Sequence, residues 1–459
     1  MPTQEELYEQ QLEQITDLLT ARHYLELREV FEDINCADIA QLLEDLPQEK
    51  LPLVFRILPK EVAAEVFAYF DSDAQERLIR VLSDQELKEV LDELYIDDTV
   101  DMIEEMPASV VHRILTVAPS EMRHSINQIL HYPEDSAGSL MTTEFVRLKR
   151  DMTVEEAFVN IRRTGIDKET IYTCYVTEND RRLIGMVSAK TLLLSDSDAL
   201  IEDIMEDNVI SVTTHEDQEA TAQMFNKYDF LALPVVDTEN RLVGIITVDD
   251  AIDVLQEEAT EDIEKMAAIS PSDKPYLKTS VFKTFLSRIP WLTLLMLSAT
   301  FTGYIITAYE EALGRFVILT AFIPMLMNTA GNSGSQASVT VTRGLSLDEI
   351  EFRDLPRVMW KEFRISLLCG AVLALVNFAK LLLIDAQTNP SVTWEVALVI
   401  SLTLVVAVIA AKVIGCALPM LAKKIGFDPA VMASPFITTI VDALTLVVYF
   451  QIASMMLGI

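Results

Sequence analysis

The sequence predicts a multi-domain membrane protein. An all-α superhelical N-terminal domain (1–131) is followed by a tandem α/β domain (132–254). An acidic connecting helix (255–280) then leads to an α-helical transmembrane domain with five spans (281–459). Three observations predict this. The charge is split: residues 1–280 hold 60 acids and 24 bases, whereas residues 281–459 hold 11 acids and 12 bases. Apolar runs of spanning length occur only in the second part. A segment of the first part repeats itself at a fixed offset.

The N-terminal part reads as short helices. "LPQE" (46–49) and "LPKE" (58–61) recur, with looser copies "MPAS" (106–109) and "APSE" (118–121). Proline in a first helical turn followed by an acid is a helix-start signal. Leucines three and four apart support a stacked helical layer. From about residue 137 the pattern becomes β-rich. "RRLIGMVSAKTLL" (181–193) resembles "NRLVGIITVDDAI" (240–252) at an offset of 59 residues, so two like units pack together.

"DDAIDVLQEEATEDIEKM" (249–266) then reads as a helix crowded with acids. Asp249–Asp253, Glu257–Glu261 and Glu258–Asp262 are like charges at i,i+4, each costing an isolated helix about 0.2–0.5 kcal/mol. Most such runs are solvated faces. This one lies between the soluble and apolar halves, where divalent cations would relieve the repulsion.

The apolar runs cover roughly 289–308, 314–334, 365–384, 393–421 and 430–458, each near or above the ~20 residues that cross ~30 Å of hydrocarbon. Lys278, Lys283 and Arg288 precede the first, five bases lie between Arg343 and Arg364, and Lys423 and Lys424 precede the last. The positive-inside rule puts the acidic half in the cytoplasm and Ile459 outside. Glu310, Glu311, Asp348, Glu349, Glu351, Asp354, Glu362, Asp385 and Glu395 are expected in loops or at helix ends, and Asp428 just before the last span. Only Asp442 is expected deep inside a span. A lone carboxylate there costs ~2.5–3.5 kcal/mol even on lenient scales and faces a bundle interior or a water path. A structural pair with Lys412 is the plain alternative.

The polar stretch "PMLMNTAGNSGSQASVTVTR" (324–343) lies in or beside the second span. Its amides and hydroxyls serve helix contact, or the hydrated shell of a hard cation such as magnesium, which keeps most of its waters and takes one or two carboxylates. One Asp per chain, doubled by a two-fold axis, fits that preference. Net charge −35 argues against nucleic acid and for cations as partners. Cys36, Cys174, Cys369 and Cys416 lie far apart, which suggests neither disulfides nor zinc. "MPTQEELYEQ" shows no signal peptide.

In this order the segments resemble the MgtE family of magnesium channels over nearly the whole chain. "YPEDSAGSLMT" (132–142) leads into what resembles a tandem CBS pair, and the acidic run resembles that family's plug helix. The most specific pieces are "NTAGNSGSQ" (328–336) and "DPAVMASPFITTIVDALTLVVYF" (428–450). The resemblance implies a homodimer in the cytoplasmic membrane, with Mg²⁺ both transported and regulatory. Asp442 matches the pore Asp that binds hydrated Mg²⁺, and Asp428 matches an acid at the mouth of the last helix. Asn328, Gly331, Asn332, Gly334 and Thr438 are the implied pore lining. Cytoplasmic Mg²⁺ ligands carry over to Glu65, Asp97, Asp101, Asp217, Glu219 and Asp229, and in the plug segment to Asp250, Asp253, Glu258, Glu261 and Asp262. CBS pairs often hold adenine nucleotides through Ser/Thr-x-x-Asp. Thr247–Asp250 fits that pattern, while the first copy, Ser188–Thr191, lacks the Asp; the implied ATP site is therefore single. Lys412, within a span, departs from a cation path and is expected to face elsewhere.

Three functions compete: a Mg²⁺ channel shut by cytosolic Mg²⁺, a coupled secondary transporter of divalent cations, and an intramembrane aspartyl protease. A protease needs two acids sharing one site, so no enzyme activity is expected. The coupled transporter lacks a second intramembrane carboxylate as proton relay, which favours the channel.

Overall fold

The computed structural model describes residues 3–272, 276–432 and 434–458. The chain divides into two compact units, Met1–Leu255 and Gln256–Ile459. The expectation about Ile459 lies outside the described residues.

The first unit begins with short helices from Gln4–Ala21 through Ser120–Ile129. Pro59, Pro107 and Pro119 each stand as the N-cap of the helix that follows. Pro47 differs. It opens a turn closed by the Lys50 amide on its carbonyl (2.7 Å), and the helix starts at Leu51 with Pro52 in its first turn. Ser83 and Glu86 form a reciprocal capping box. Leu27, Phe31, Leu43, Val54, Phe67 and Leu78 form a buried core that continues into Phe225, Leu233 and Ile246 of the second repeat.

The repeat folds twice into three strands. β1 (Phe145–Leu148), β2 (Thr170–Thr177) and β3 (Leu183–Ser188) form one sheet. β4 (Val212–Thr213), β5 (Ala232–Val236) and β6 (Leu242–Thr247) form the other. In each, the first pairing is parallel and the second antiparallel. Tyr175 and Leu183 of one copy pack on Ala232, Leu242 and Ile245 of the other. Gly185 and Gly244 occupy equivalent positions. A Cβ on Gly185 would lie 2.7 Å from Met205 Sδ, and one on Gly244 2.7 Å from the Thr142 carbonyl, so both strands are crossed closely by another segment.

After β6 the acidic helix runs unbroken over Val248–Met266. The second unit then contains long helices α1 (Val281–Ala308), α2 (Ile323–Ser346), α3 (Leu355–Lys380), α4 (Trp394–Lys424) and α5 (Ser434–Leu457). Among the described residues four helices are long and apolar enough to cross a membrane: Val281–Ala308, Phe352–Thr388, Trp394–Lys424 and Pro435–Leu457. α2 is long enough but polar. The apolar run expected at 314–334 is also divided: Glu310–Arg315 and Val317–Phe322 are short separate helices. α2 starts at Ile323 with Pro324 in its first turn, where a missing N–H costs nothing.

α4 is the buried centre, with Ala397, Ile400, Leu404, Val408 and Ala411 fully covered. The backbones of Gly415 on α4 and Gly334 on α2 meet directly, and Gly334 would place a Cβ 2.9 Å from Ile437 of α5. Three helices therefore close on two glycines. Gly415→Val should cost about 1–3 kcal/mol or more by overpacking. Gly303→Val on α1, where a Cβ would meet nothing within 4 Å, is the control. The check is thermal inactivation followed by size-exclusion chromatography in detergent. Equal midpoints for the two variants would contradict this packing.

Candidate cation site

Asp442 lies inside α5, half-buried. Its Oδ1 would be 3.8 Å from a Cβ on Gly331, and Thr438 Cγ2 would be 3.1 Å from it. Glycine at 331 thus lets α2 approach the carboxylate. Gly331 and Gly334 are buried packing positions. The exposed face of α2 carries Asn328, Asn332, Gln336 and Thr340 at i,i+4 spacing, with Asn332 donating to Asn328 at 3.4 Å. A polar stripe thus runs along a helix set among apolar ones, and no cation among the described residues pairs with Asp442.

Lys412 does not reach Asp442. It is buried in α4 and its Nζ lies 3.7 Å from Glu362 Oε2 on α3. This corrects the expectation for Glu362. It belongs to the body of α3, not to a loop or helix end, and is as covered as Lys412. The flanking charges of "RVMWKEFRIS" hide a pairing that only the fold creates.

At one end of the second unit the acidic helix meets the membrane helices. Asp262 accepts from Ser346 Oγ at the end of α2 (2.9 Å). Lys265 Nζ lies 2.7 Å from Glu261 Oε1 and 2.7 Å from Asp428 Oδ2. Burial raises the Asp262 carboxyl above its ordinary range, against the Ser346 hydrogen bond. Burial alone would lower Lys265, but its bonds to Asp428 and Glu261 raise it.

The first unit gathers a second group of acids. Asp97 is buried, and burial followed by Asp250 and Glu169 holds its carboxyl well above the ordinary range. Burial and Asp249 push Asp98 up to about 6. Asp250 is pushed up to about 6 by burial, although Thr247 Oγ1 donates to it at 2.6 Å. Glu169 is pushed up to about 8 by burial, then by Asp98, Asp250 and Asp249, and its Oε2 is buried with no hydrogen-bond partner among the described residues. Glu144 accepts from the Ile96 amide (3.2 Å). Asp98, Glu144, Glu169 and Asp249 were not among the expected ligands. Asp98 and Asp249 adjoin expected ones, whereas Glu169 sits in a short connection without any periodic signal.

Crowded carboxylates with one orphaned oxygen suit a hard divalent cation, although among the described residues no three acid, histidine or cysteine side chains form a preset ligand group. Other expected ligands stand apart. Glu65 is exposed and accepts from Cys36 Sγ (2.9 Å). Asp101 and Asp253 are exposed, and Glu258 is half-exposed. Asp217 caps the helix Gln218–Tyr228 and Asp229 follows its last residue, so they stand roughly 18 Å apart along its axis. Glu219 accepts from Gln223 (3.1 Å). At the expected nucleotide segment, Thr247 and Asp250 are bonded to each other.

Apolar spanning helices, a polar-striped helix and crowded carboxylates fit a membrane transporter for a divalent cation. The family model described as a divalent cation transporter, MgtE, matches residues 323–452. The MgtE intracellular N domain matches 34–135, and CBS domains match 137–197 and 201–257. A magnesium transporter MgtE of Thermus thermophilus is 36% identical, with 94% of this chain and 95% of that one covered. One from Bacillus subtilis is 31% identical over 97% of each. A crystal structure of the cytosolic domain of the Mg²⁺ channel MgtE in complex with ATP is 38% identical at TM-score 0.50, covering 52% of this chain and 98% of that one. The chain belongs to the MgtE family of magnesium transporters.

The acid cluster makes stability depend on pH. Where a folded carboxyl has a raised pKa, the folded state binds more protons, so stability rises as pH falls through that value. With Glu169 at about 8 and Asp98 and Asp250 at about 6, the first thermal transition in EDTA should move up as pH falls from 8 towards 5.5. Glu169→Gln should flatten the upper part of that slope. A transition that moves down over this range contradicts the cluster. For the membrane pair, Glu362→Gln leaves a buried ammonium unpaired and should cost about 3–5 kcal/mol. The double variant Glu362→Leu with Lys412→Met should recover most of it. Additive losses in this cycle would show the two charges to be independent.

Proposed function

We propose that the chain is a Mg²⁺-selective channel for Mg²⁺ uptake across the cytoplasmic membrane, shut when Mg²⁺ binds its acidic cytoplasmic carboxylates. The observation that carries this is Asp442, a carboxylate among apolar helices with no basic partner among the described residues, facing the glycine turn of a polar-striped α2. In this reading α2 is the fifth span, the functional division follows 1–131, 132–254, 255–280 and 281–459, and the N-terminus is cytoplasmic. Asn328, Asn332 and Thr438 border a hydrated path. A homodimer supplies two Asp442 carboxylates to one ion, since one per chain is a poor divalent site. Asp97, Asp250 and the added Glu169 hold regulatory Mg²⁺ in the first unit, and Glu261, Asp262 and Asp428 do so in the second. ATP at Thr247 and Asp250 extends to this chain what the solved relative binds. No reaction chemistry is assigned to any residue.

Glu362 gives the coupled-transporter reading the second membrane carboxylate it lacked. Its pairing with Lys412 weighs against a proton relay, because the carboxylate is already engaged in a buried contact. The discriminating measurement is unitary current in planar bilayers, together with Mg²⁺ uptake by Asp442→Asn. Currents far above transporter turnover are expected. The Asn variant should lose most uptake while eluting like the parent, because only charge is removed. Parent-like uptake by that variant would make Asp442 structural and remove the basis of this reading.

A further inference from the structure

Lys265 stands where a cation would. Its ammonium lies 2.7 Å from Glu261, one turn earlier on the acidic helix, and 2.7 Å from Asp428 in the connection between α4 and α5. The Ala430 amide donates to Asp428 Oδ1 at 2.7 Å, which fixes that carboxylate and leaves Oδ2 to the lysine. A third acid, Asp262, is held alongside by Ser346. All three acids are oxygens that the proposed reading gives to regulatory Mg²⁺.

The strength of this tie is moderate. The Lys265, Glu261 and Asp428 side chains keep 23%, 36% and 32% of their exposure. Pairs this open to solvent bias a conformation without locking it. A divalent ion carries twice the charge and can ligate both carboxylates while keeping its waters. Ammonium and ion cannot share the position.

We propose that Lys265 is a tethered cation surrogate: it links the acidic helix to Asp428 when Mg²⁺ is scarce and cedes that place to a divalent cation when Mg²⁺ is plentiful. This rests on the gating reading above and specifies its regulation. The docked state then has two routes to neutrality, one built in and one supplied. Removing the lysine takes away the first only. Docking at low Mg²⁺ weakens, docking at saturating Mg²⁺ does not change, and the Mg²⁺-dependent part of docking grows.

The test is hydrogen exchange of the amides 257–268 in the full chain in lipid nanodiscs, titrated with MgCl₂ from EDTA. Lys265→Met keeps helix propensity and loses charge. It should exchange several-fold faster than the parent in EDTA and match it at saturating MgCl₂. Lys265→Arg should follow the parent throughout. A Met variant that matches the parent in EDTA removes the surrogate role. A deficit that persists at saturating MgCl₂ shows that the ion does not take the lysine's place, and also overturns the proposal. If exchange in the parent itself ignores Mg²⁺, the gating reading fails, and the surrogate with it.

Discussion

A carboxylate taken out of water has to be paired, hydrogen-bonded, protonated or held against a cation, because leaving it bare costs several kcal/mol. With 71 acids against 36 bases, this chain cannot pair them all. Its buried and half-buried acids divide accordingly. Glu362 has Lys412. Asp428 and Glu261 share Lys265. Asp262 has a serine hydroxyl. Asp97, Asp98, Glu169 and Asp250 are crowded by other acids, and burial first and those neighbours second raise their carboxyls. Asp442 has no cation among the described residues. The acids left without one are those a transported or regulatory cation can complete.

The fold supplies the close approach this requires. α4 takes no part in the polar stripe, yet its Gly415 allows Gly334 of α2 to sit against both α4 and α5. That contact sets the register in which Gly331 faces Asp442. The same helix presents Lys412 to α3, on another side. The buried Lys412 ammonium is thereby kept off the Asp442 face, so a fixed positive charge is compatible with the cation path proposed above. In the first unit the capped helix starts do similar work. Glu144 reaches the Ile96 amide at the start of the helix that carries Asp97 and Asp98, so one acid positions two others.

Much of this was legible where a local pattern and the fold agree. The 59-residue repeat places β3 and β6 at equivalent residues, and the acidic run at 249–266 becomes the helix Val248–Met266. Asp442 was legible because no other charged residue lies in 434–450. Glu362 was not, because its flanking Lys361 and Arg364 make the local composition look like a membrane edge, and its partner lies fifty residues away in sequence. Glu169 was invisible for a different reason: a single acid in a connection carries no period, and its burial comes from elements distant in sequence. The start of α2 was misplaced because hydropathy follows composition, whereas the helix follows backbone hydrogen bonding, which Pro324 redirects.

The distribution of partners also bears on how such a protein can switch. Moving a two-state equilibrium from 1:99 to 99:1 takes roughly 5.5 kcal/mol of differential binding. No single half-exposed salt bridge supplies that, since each is worth about 0–1 kcal/mol. Several acid groups, each completed by one ion, can supply it together, and their joint action makes the response to concentration steep. Monovalent salt screens the same charges but cannot ligate two carboxylates at once, so it relieves repulsion without creating the tie. A lysine among these acids occupies the middle ground, because it ligates two carboxylates yet carries one charge and cannot diffuse away. In the proposed gating its contribution is present without ions and lasts until a divalent ion takes its place. In that reading it sets the level from which the ion-dependent part of the transition starts, and the acids with no basic partner among the described residues set how far it can go.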